Sequence, residues 1–314
     1  MRTWIGAMLL VLAAGQAAAQ DCPAGTWRAA APLPVSRTEV AAASDGQAVY
    51  VVGGMANDPA TDLVTIFRYD PAANAWAPAG TLDSAVNHTG VAAIGSKLYI
   101  VGGYAGPGNA PSNRLRVLDL ASGALTEAAP MPTARGALAV AVLDGRIHAL
   151  GGTTDRSVAT HEVYDPASDS WRAAAPMRVP RHHLAAVAFG GRLYAFGGRD
   201  ERTMLIDAAE VYDPASDSWA DLAPLPTGRS GIGAAVAGGR IVVLGGEVAG
   251  TGGHTFAEAE AYDPATGTWS GLAPMPTARH GLGVAAVGDD IFVVSGGPQP
   301  GLTVSDVNEV LCGG

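Results

Sequence analysis

The stretch RIHALGGTTDRSVATHEVYDPASDSW, residues 146–171, decides the fold. An apolar, strand-like run ends in a glycine pair, Gly151-Gly152. Such a pair serves where the backbone needs φ > 0, or where another chain comes too close for a Cβ. A second β-prone run, HEVYD, follows a polar loop. Pro166 then fixes φ, Ser168 and Asp169 can bond the local backbone, and the chain returns at Trp171. Strand-like runs separated by a glycine pair and a tight turn describe neighbouring strands of one antiparallel sheet.

The pattern recurs along the chain. A Gly-Gly doublet closes an apolar run six times: AVYVVGG (Gly53-Gly54), KLYIVGG (Gly102-Gly103), RIHALGG (Gly151-Gly152), RLYAFGG (Gly197-Gly198), RIVVLGG (Gly245-Gly246) and IFVVSGG (Gly296-Gly297). The first glycines stand 49, 49, 46, 48 and 51 residues apart, a period that marks a repeat architecture. Each unit carries four strand signals. A small, apolar run such as GALAVAVLDG (136–145) precedes the Gly-Gly run. A Tyr-Asp-Pro run follows, as in HEVYDP (161–166), AEVYDP (209–214), EAYDP (260–264) and FRYDP (67–71). The fourth signal opens at Trp27, Trp76, Trp171, Trp219 or Trp269, and a Pro-rich step such as APMPTAR (129–135) leads to the next unit. In the second unit Leu120 and Leu125 stand where Pro and Trp are expected, which predicts a looser seam there.

A Gly-Gly doublet, then Tyr, then Trp at these spacings resembles the kelch repeat, over essentially all of residues 22–312. The resemblance implies an all-β fold, a six-bladed kelch β-propeller with one four-stranded sheet per blade. The physics agrees. A sheet with two apolar faces cannot bury both alone, and radial stacking buries each against its neighbour. The innermost strand must be narrow, hence its Ala, Gly and Val; Tyr and Trp fill the wider gaps further out.

The last unit has three strand signals, HGLGVAAV, IFVVSGG and VNEVLC, and no fourth. Near the other terminus DCPAGTWRAAAPLP matches the fourth-strand pattern SDSWRAAAPM. Residues 20–314 are therefore expected to form one propeller whose sixth blade is shared between 22–34 and 279–312, because an open ring would expose a sheet edge. Cys312 falls where the third strand's Asp stands in other units, and Cys22 lies five residues before Trp27. A Cys22–Cys312 disulfide in place of the missing hairpin turn is the expectation.

Residues 1–19 read as a signal peptide: Arg2, an apolar segment Trp4–Ala14 too short for a stable membrane helix, and the cleavage site Ala17-Ala18-Ala19. Asp21 before Cys22 argues against lipid attachment, which needs a small residue there. Export to the periplasm or the extracellular space is expected, a setting in which two cysteines read as one disulfide. A net charge of −10 with Lys97 as the single lysine argues against nucleic acid and anionic membrane as partners. No further run is long enough for membrane insertion. The sequence does not fix the oligomeric state.

The loops 55–62, 104–113, 247–256 and 298–305 are expected on one face, where a rigid scaffold usually presents its binding site. On that face Arg37, Arg135, Arg181, Arg229 and Arg279 open the first strand of five blades, with Asn87 in the second. Arginine binds carboxylate, sulfate or phosphate bidentately. The same arginines belong to the repeat pattern and suit bonds to loop carbonyls or to the recurrent Glu162, Glu210, Glu260 and Glu309. His88, His182 and His280 each follow that Arg or Asn, in alternate blades. A metal centre is not expected from them, since metal ligands sit about 2 Å from the ion and alternate inner strands should lie much further apart. No cofactor is expected.

No G-x-S-x-G, H-E-x-x-H or C-x-x-C motif occurs. Both cysteines sit at the ring seam, so the cysteine–tyrosine cross-link of kelch-type copper oxidases has no counterpart. The sequence leaves two functional readings. One is a binding module that holds a protein or glycan partner on the loop face. The other, implied by resemblance to exported six-bladed kelch propellers, is a mutarotase or epimerase acting on an acidic sugar of the sialic-acid type. A deep polar pocket with an Arg and a Glu or His converging would favour the second; a flat apolar face would favour the first.

Overall fold

The computed structural model describes residues 22–58, 60–106 and 108–313; residues 1–19, read from the sequence as a signal peptide, lie outside them. The described chain is all-β, with six four-stranded antiparallel sheets. The innermost strands are Ala41–Ser44, Gly90–Ile94, Ala139–Leu143, Ala185–Phe189, Gly233–Ala237 and Gly283–Val287. Each packs against the inner strand of the next blade, and the last packs against the first. The third blade is typical: Ala139–Leu143, Arg146–Leu150, His161–Asp165 and Ser170–Ala174 follow one another outward.

The core lies between blades rather than within one. Six apolar clusters occur, one at each seam, and the cluster joining blades six and one contains Phe292, Val294 and Val310 against Val49, Phe67 and Tyr69. Tyr and Trp also stitch neighbouring blades by hydrogen bonds. The indole nitrogens of Trp27, Trp76, Trp171, Trp219 and Trp269 donate to the carbonyls of Ala273, Ala31, Ala129, Ala175 and Ala223, at 2.7–2.9 Å. Tyr164 and Tyr212 donate to Asp169 and Asp217, whose carboxylates in turn accept from the backbone of the neighbouring step.

Two details differ from the sequence reading. In blade six the doublet is Ser295-Gly296, not Gly296-Gly297. Ser295 (φ 64°) and Gly296 (φ 102°) take the conformations of Gly53 (φ 66°) and Gly54 (φ 111°). The Ser295 hydroxyl donates to the Arg37 carbonyl at 2.6 Å, a bond that accompanies the positive φ. In blade two a third leucine, Leu118, holds the register of Tyr164; it is fully buried, and the outer strand of blade one approaches it at Gly80, where a Cβ would lie 2.7 Å from the leucine.

The strand Trp27–Ala29 pairs with Asn308–Leu311 as the outer strand of the sixth sheet, with Trp27 opposite Leu311. Leu311 holds the register of Tyr164, opposite the second-strand isoleucine, so Cys312 holds that of Asp165. A Cys22–Cys312 disulfide spans the gap where other blades have a hairpin turn. It closes a loop of 290 residues, for which chain entropy gives on the order of 5 kcal/mol. Reduction, or the double change Cys22→Ser and Cys312→Ser, is expected to lower the urea midpoint, with a loss of unfolding free energy that approaches this figure. An unchanged midpoint would show that the other seam contacts suffice.

Candidate functional site

The register of the loop face is set by antiparallel bridges between the step into each blade and the residue after its doublet. These join Thr38 to Met55, Asn87 to Tyr104, Gly136 to Thr153, His182 to Arg199, Ser230 to Glu247 and His280 to Gly297. Asn87 therefore matches His182 and His280, and Val86 holds the place of the arginines. His88 is one residue further on, in register with Glu39 and His183.

That further position has φ > 0 in every blade: Glu39, His88, Ala137, His183, Gly231 and Gly281, with φ between 50° and 67°. The backbone N–H of each of the last five donates to the carbonyl of the preceding one at 2.9–3.2 Å. Val40 N–H donates to the Gly281 carbonyl at 3.2 Å and completes the circle. The turn carries Glu39, His88 and His183 to the axis. The His88 and His183 rings thus lie 4.8 Å apart, although they belong to blades two and four. Blade three contributes only Ala137 between them, so this pair, which is not the His88, His182 and His280 set picked out in the sequence, meets at the axis.

Arg37, Arg135, Arg181, Arg229 and Arg279 are fully buried. Four of them pair with the recurrent carboxylates Glu162, Glu210, Glu260 and Glu309 at 2.5–2.9 Å. They also donate to second-strand carbonyls such as Ala149, Ala195, Val243 and Val293. Arg37 lacks such a carboxylate. Its guanidinium lies 5.2 Å from the Phe67 ring centroid and donates to the Asp62 carbonyl, and burial pushes its pKa down to about 10. In blade two both partners change together. Val86 replaces the arginine, and buried Arg116 replaces the glutamate and pairs with Asp83 at 2.8 Å.

Six other side chains close a polar circuit at the channel mouth. Glu39 Oε2 lies 3.2 Å from His88 Nε2, and Glu39 Oε1 lies 3.6 Å from His280 Nε2. His280 Nε2 is 3.5 Å from Glu247 Oε2, whose partner oxygen accepts from Arg199 at 2.8 Å. Arg199 also donates to His183 Nε2 at 2.8 Å, and the His183 ring returns to His88. Tyr104 packs edge-on to His88 and over Gly136, where a Cβ would lie 2.6 Å from its ring. Next to the circuit a cavity of about 80 Å³ is lined by Glu39, His88 and His183 together with the apolar Val40, Leu138, Leu184, Ile232 and Leu282. Of the sequence candidates, His88 and His280 join this circuit directly. His182 and Asn87 touch it through His183 and His88. Glu39, His183, Arg199 and Glu247 escaped the sequence reading.

Donor rules fix the protons. A guanidinium only donates, so His183 Nε2 accepts, and its Nδ1–H points to His182 Nδ1. Burial holds His183 well below the usual histidine range and lowers His182 to about 4 and His88 to about 3. Burial raises the Glu39 carboxyl, against the opposing pull of His280 and Arg199. Glu39, His88 and His183 each bring a ligand-type atom within 4.8 Å of the others. The His183 lone pair is nevertheless occupied by Arg199, whose charge opposes a cation at the same point.

Fold and mouth together define a kelch-type propeller with a circuit of polar side chains at one end of its axis. The chain belongs to the kelch-repeat family: the KLHDC2/KLHL20/DRC7 Kelch-repeats domain matches residues 87–297, and the Kelch motif matches residues 36–82. Among solved structures, the one titled "Structure of YjhT" is similar at a TM-score of 0.77 and 15% identity, over 88% of this chain and 95% of that chain. That likeness concerns the fold alone. No curated protein matches the chain.

Two predictions follow from the buried charges. Arg181→Met leaves Glu210 buried without its partner and is expected to cost about 3–5 kcal/mol in urea unfolding, much of it recovered by adding Glu210→Leu. A cost below about 1 kcal/mol would overturn the pinning role. A second buried pair, His148 Nδ1 to His161 Nε2 at 2.8 Å, is lowered by burial to about 3 and about 4. With His88, His182 and His183 this makes five histidines that stay neutral when folded and protonate near pH 6.5 when unfolded. Below pH 6.5 the unfolded chain binds more protons, so stability should fall as pH drops from about 6.5 toward 4; raised Glu39 opposes with one proton. Urea midpoints that stay flat across that window would contradict these neutral states.

Proposed function

We propose that the axial mouth is a small-molecule site for an acidic sugar and that it catalyses acid–base isomerisation at the sugar's hemiacetal carbon. The observation that carries this reading is the convergence of Arg199, Glu247, His280 and Glu39 through contacts of 2.8–3.6 Å at one point on the axis. Arg199 supplies the cation for a sugar carboxylate. Glu247 and His280 offer a base, and Glu39 offers an acid. Two carboxyls in unlike surroundings divide those roles.

The chemistry balances without a cofactor. The base takes the anomeric hydroxyl proton while the acid protonates the ring oxygen. The bond from the anomeric carbon to the ring oxygen breaks and a carbonyl forms. The open chain turns and recloses on either face, and both protons return. A macromolecular partner has less support: the exposed large apolar side chains among the described residues are Leu205 and Leu302, on loops of different blades.

A thermal-shift screen of acidic and neutral sugars tests binding, and NMR exchange between the anomers tests turnover. An acidic sugar is expected to raise the Tm and to show catalysed exchange. Glu247→Gln should slow that exchange by about 10²-fold or more. A panel with neither shift nor exchange would sink the reading in favour of a protein or glycan surface.

A further inference from the structure

The hydrogen-bond inventory around Glu39 does not balance unless one more proton is present. Asn87 Nδ2 donates to Asn109 Oδ1 at 2.8 Å, which turns Asn87 Oδ1 toward His88 Nδ1 at 2.6 Å. An amide oxygen only accepts, so His88 Nδ1 carries the hydrogen. In a neutral ring the Nε2 lone pair then points at Glu39 Oε2, 3.2 Å away. A lone pair and a carboxylate oxygen repel at that distance unless a proton lies between them.

The surroundings decide which group owns that proton. Arg199 donates to Glu247 and His183 and forms neither a hydrogen bond nor an ion pair with Glu39 or His88. Its charge, and that of any proton on His280, disfavours an imidazolium at His88, which burial already opposes. Glu39 lies against the backbone circle: a Cβ at Gly281 would come within 2.7 Å of its carboxyl carbon. Water is excluded from that side, and Glu247 nearby makes a second carboxylate charge costly. Glu247, Arg199, His88, His183, Tyr104 and His280 are the charged and titratable groups that surround it. His280 Nδ1 donates to the Gly297 carbonyl at 3.1 Å, and its Nε2 faces Glu39 Oε1 at 3.6 Å and Glu247 Oε2 at 3.5 Å, so any charge on that ring is shared with Glu247 and lies against the oxygen of Glu39 that does not face His88.

We propose that Glu39 carries its carboxyl proton at neutral pH, held toward His88 Nε2, and that it is the proton donor of the mouth. Its side chain keeps 12% of its surface open, enough for an incoming oxygen to replace His88 as acceptor. Glu247, paired with Arg199, is the complementary carboxylate, and His280 sits between the two at 3.5 and 3.6 Å as the path for the proton's return. The donor role rests on the acidic-sugar reading; the protonation state does not, and it is tested without any ligand.

Infrared difference spectra of the whole protein at pH 7 should show a protonated-carboxyl C=O stretch. It should disappear in Glu39→Gln and persist in Glu247→Gln. ¹⁵N NMR of the unsubstituted protein should show His88 as a neutral ring protonated on Nδ1 alone, a measurement that needs no variant to fold. No protonated carboxyl at pH 7, a band that survives Glu39→Gln, or an imidazolium at His88 would each overturn the assignment. Loss of the sugar reading with these spectra intact would remove the donor role and leave the proton in place.

Discussion

Everything on the loop face depends on the circle of six backbone hydrogen bonds around the axis. Five run between residues at φ > 0, and the sixth, from Val40, shuts it. The bonds fix the inner ends of all six blades relative to one another, so side chains from non-adjacent blades meet at set distances. The left-handed conformation is costly for residues with a Cβ. Glycine takes it freely at Gly231 and Gly281, while Glu39, His88, Ala137 and His183 take it under constraint from the ring. Three of those four point ionisable groups at the axis, so strain and chemistry fall on the same residues.

The buried Arg–Glu pairs hold the circle from outside. Each arginine ties the step into a blade to that blade's second and third strands. Such pairs add little net stability over apolar residues of the same shape, but breaking one is expensive. They therefore enforce geometry more than they raise stability. The covariation inside this one chain fits that role: where the arginine becomes Val86, the glutamate becomes Arg116 and a new partner appears at Asp83.

The parts legible in the sequence are those every blade must repeat. The glycine doublet, the Tyr and the Trp answer backbone and filling constraints common to six seams, and Cys22 with Cys312 marks the seam made differently. Misreadings arise where one blade meets a constraint by other means. Ser295 accepts a glycine conformation with help from its hydroxyl, which shifts the apparent doublet by one. The charge swap in blade two hides Val86 and slides Asn87 into the arginine column, which also displaces His88. The axial circuit was hidden for a different reason: it draws three, two and one residues from three columns across five blades, and no spacing in the chain connects them.

A signal for it nevertheless exists in the columns that disagree. The φ > 0 column reads Glu, His, Ala, His, Gly, Gly, and the column after the doublet reads Met, Tyr, Thr, Arg, Glu, Gly. A position under purely structural constraint should converge on one residue type, as the arginine column nearly does. Here glycine would satisfy the backbone in all six blades, yet charged and titratable residues fill half of the first column. Three of the bulky groups at the mouth also have a small neighbour that makes room for them. Gly281 stands beside Glu39, Gly136 beneath Tyr104, and Gly297 beside His280, where a Cβ would lie 2.5 Å from the imidazole. Divergence matched by such accommodation across blades sets the axial mouth apart from the columns that only repeat the blade.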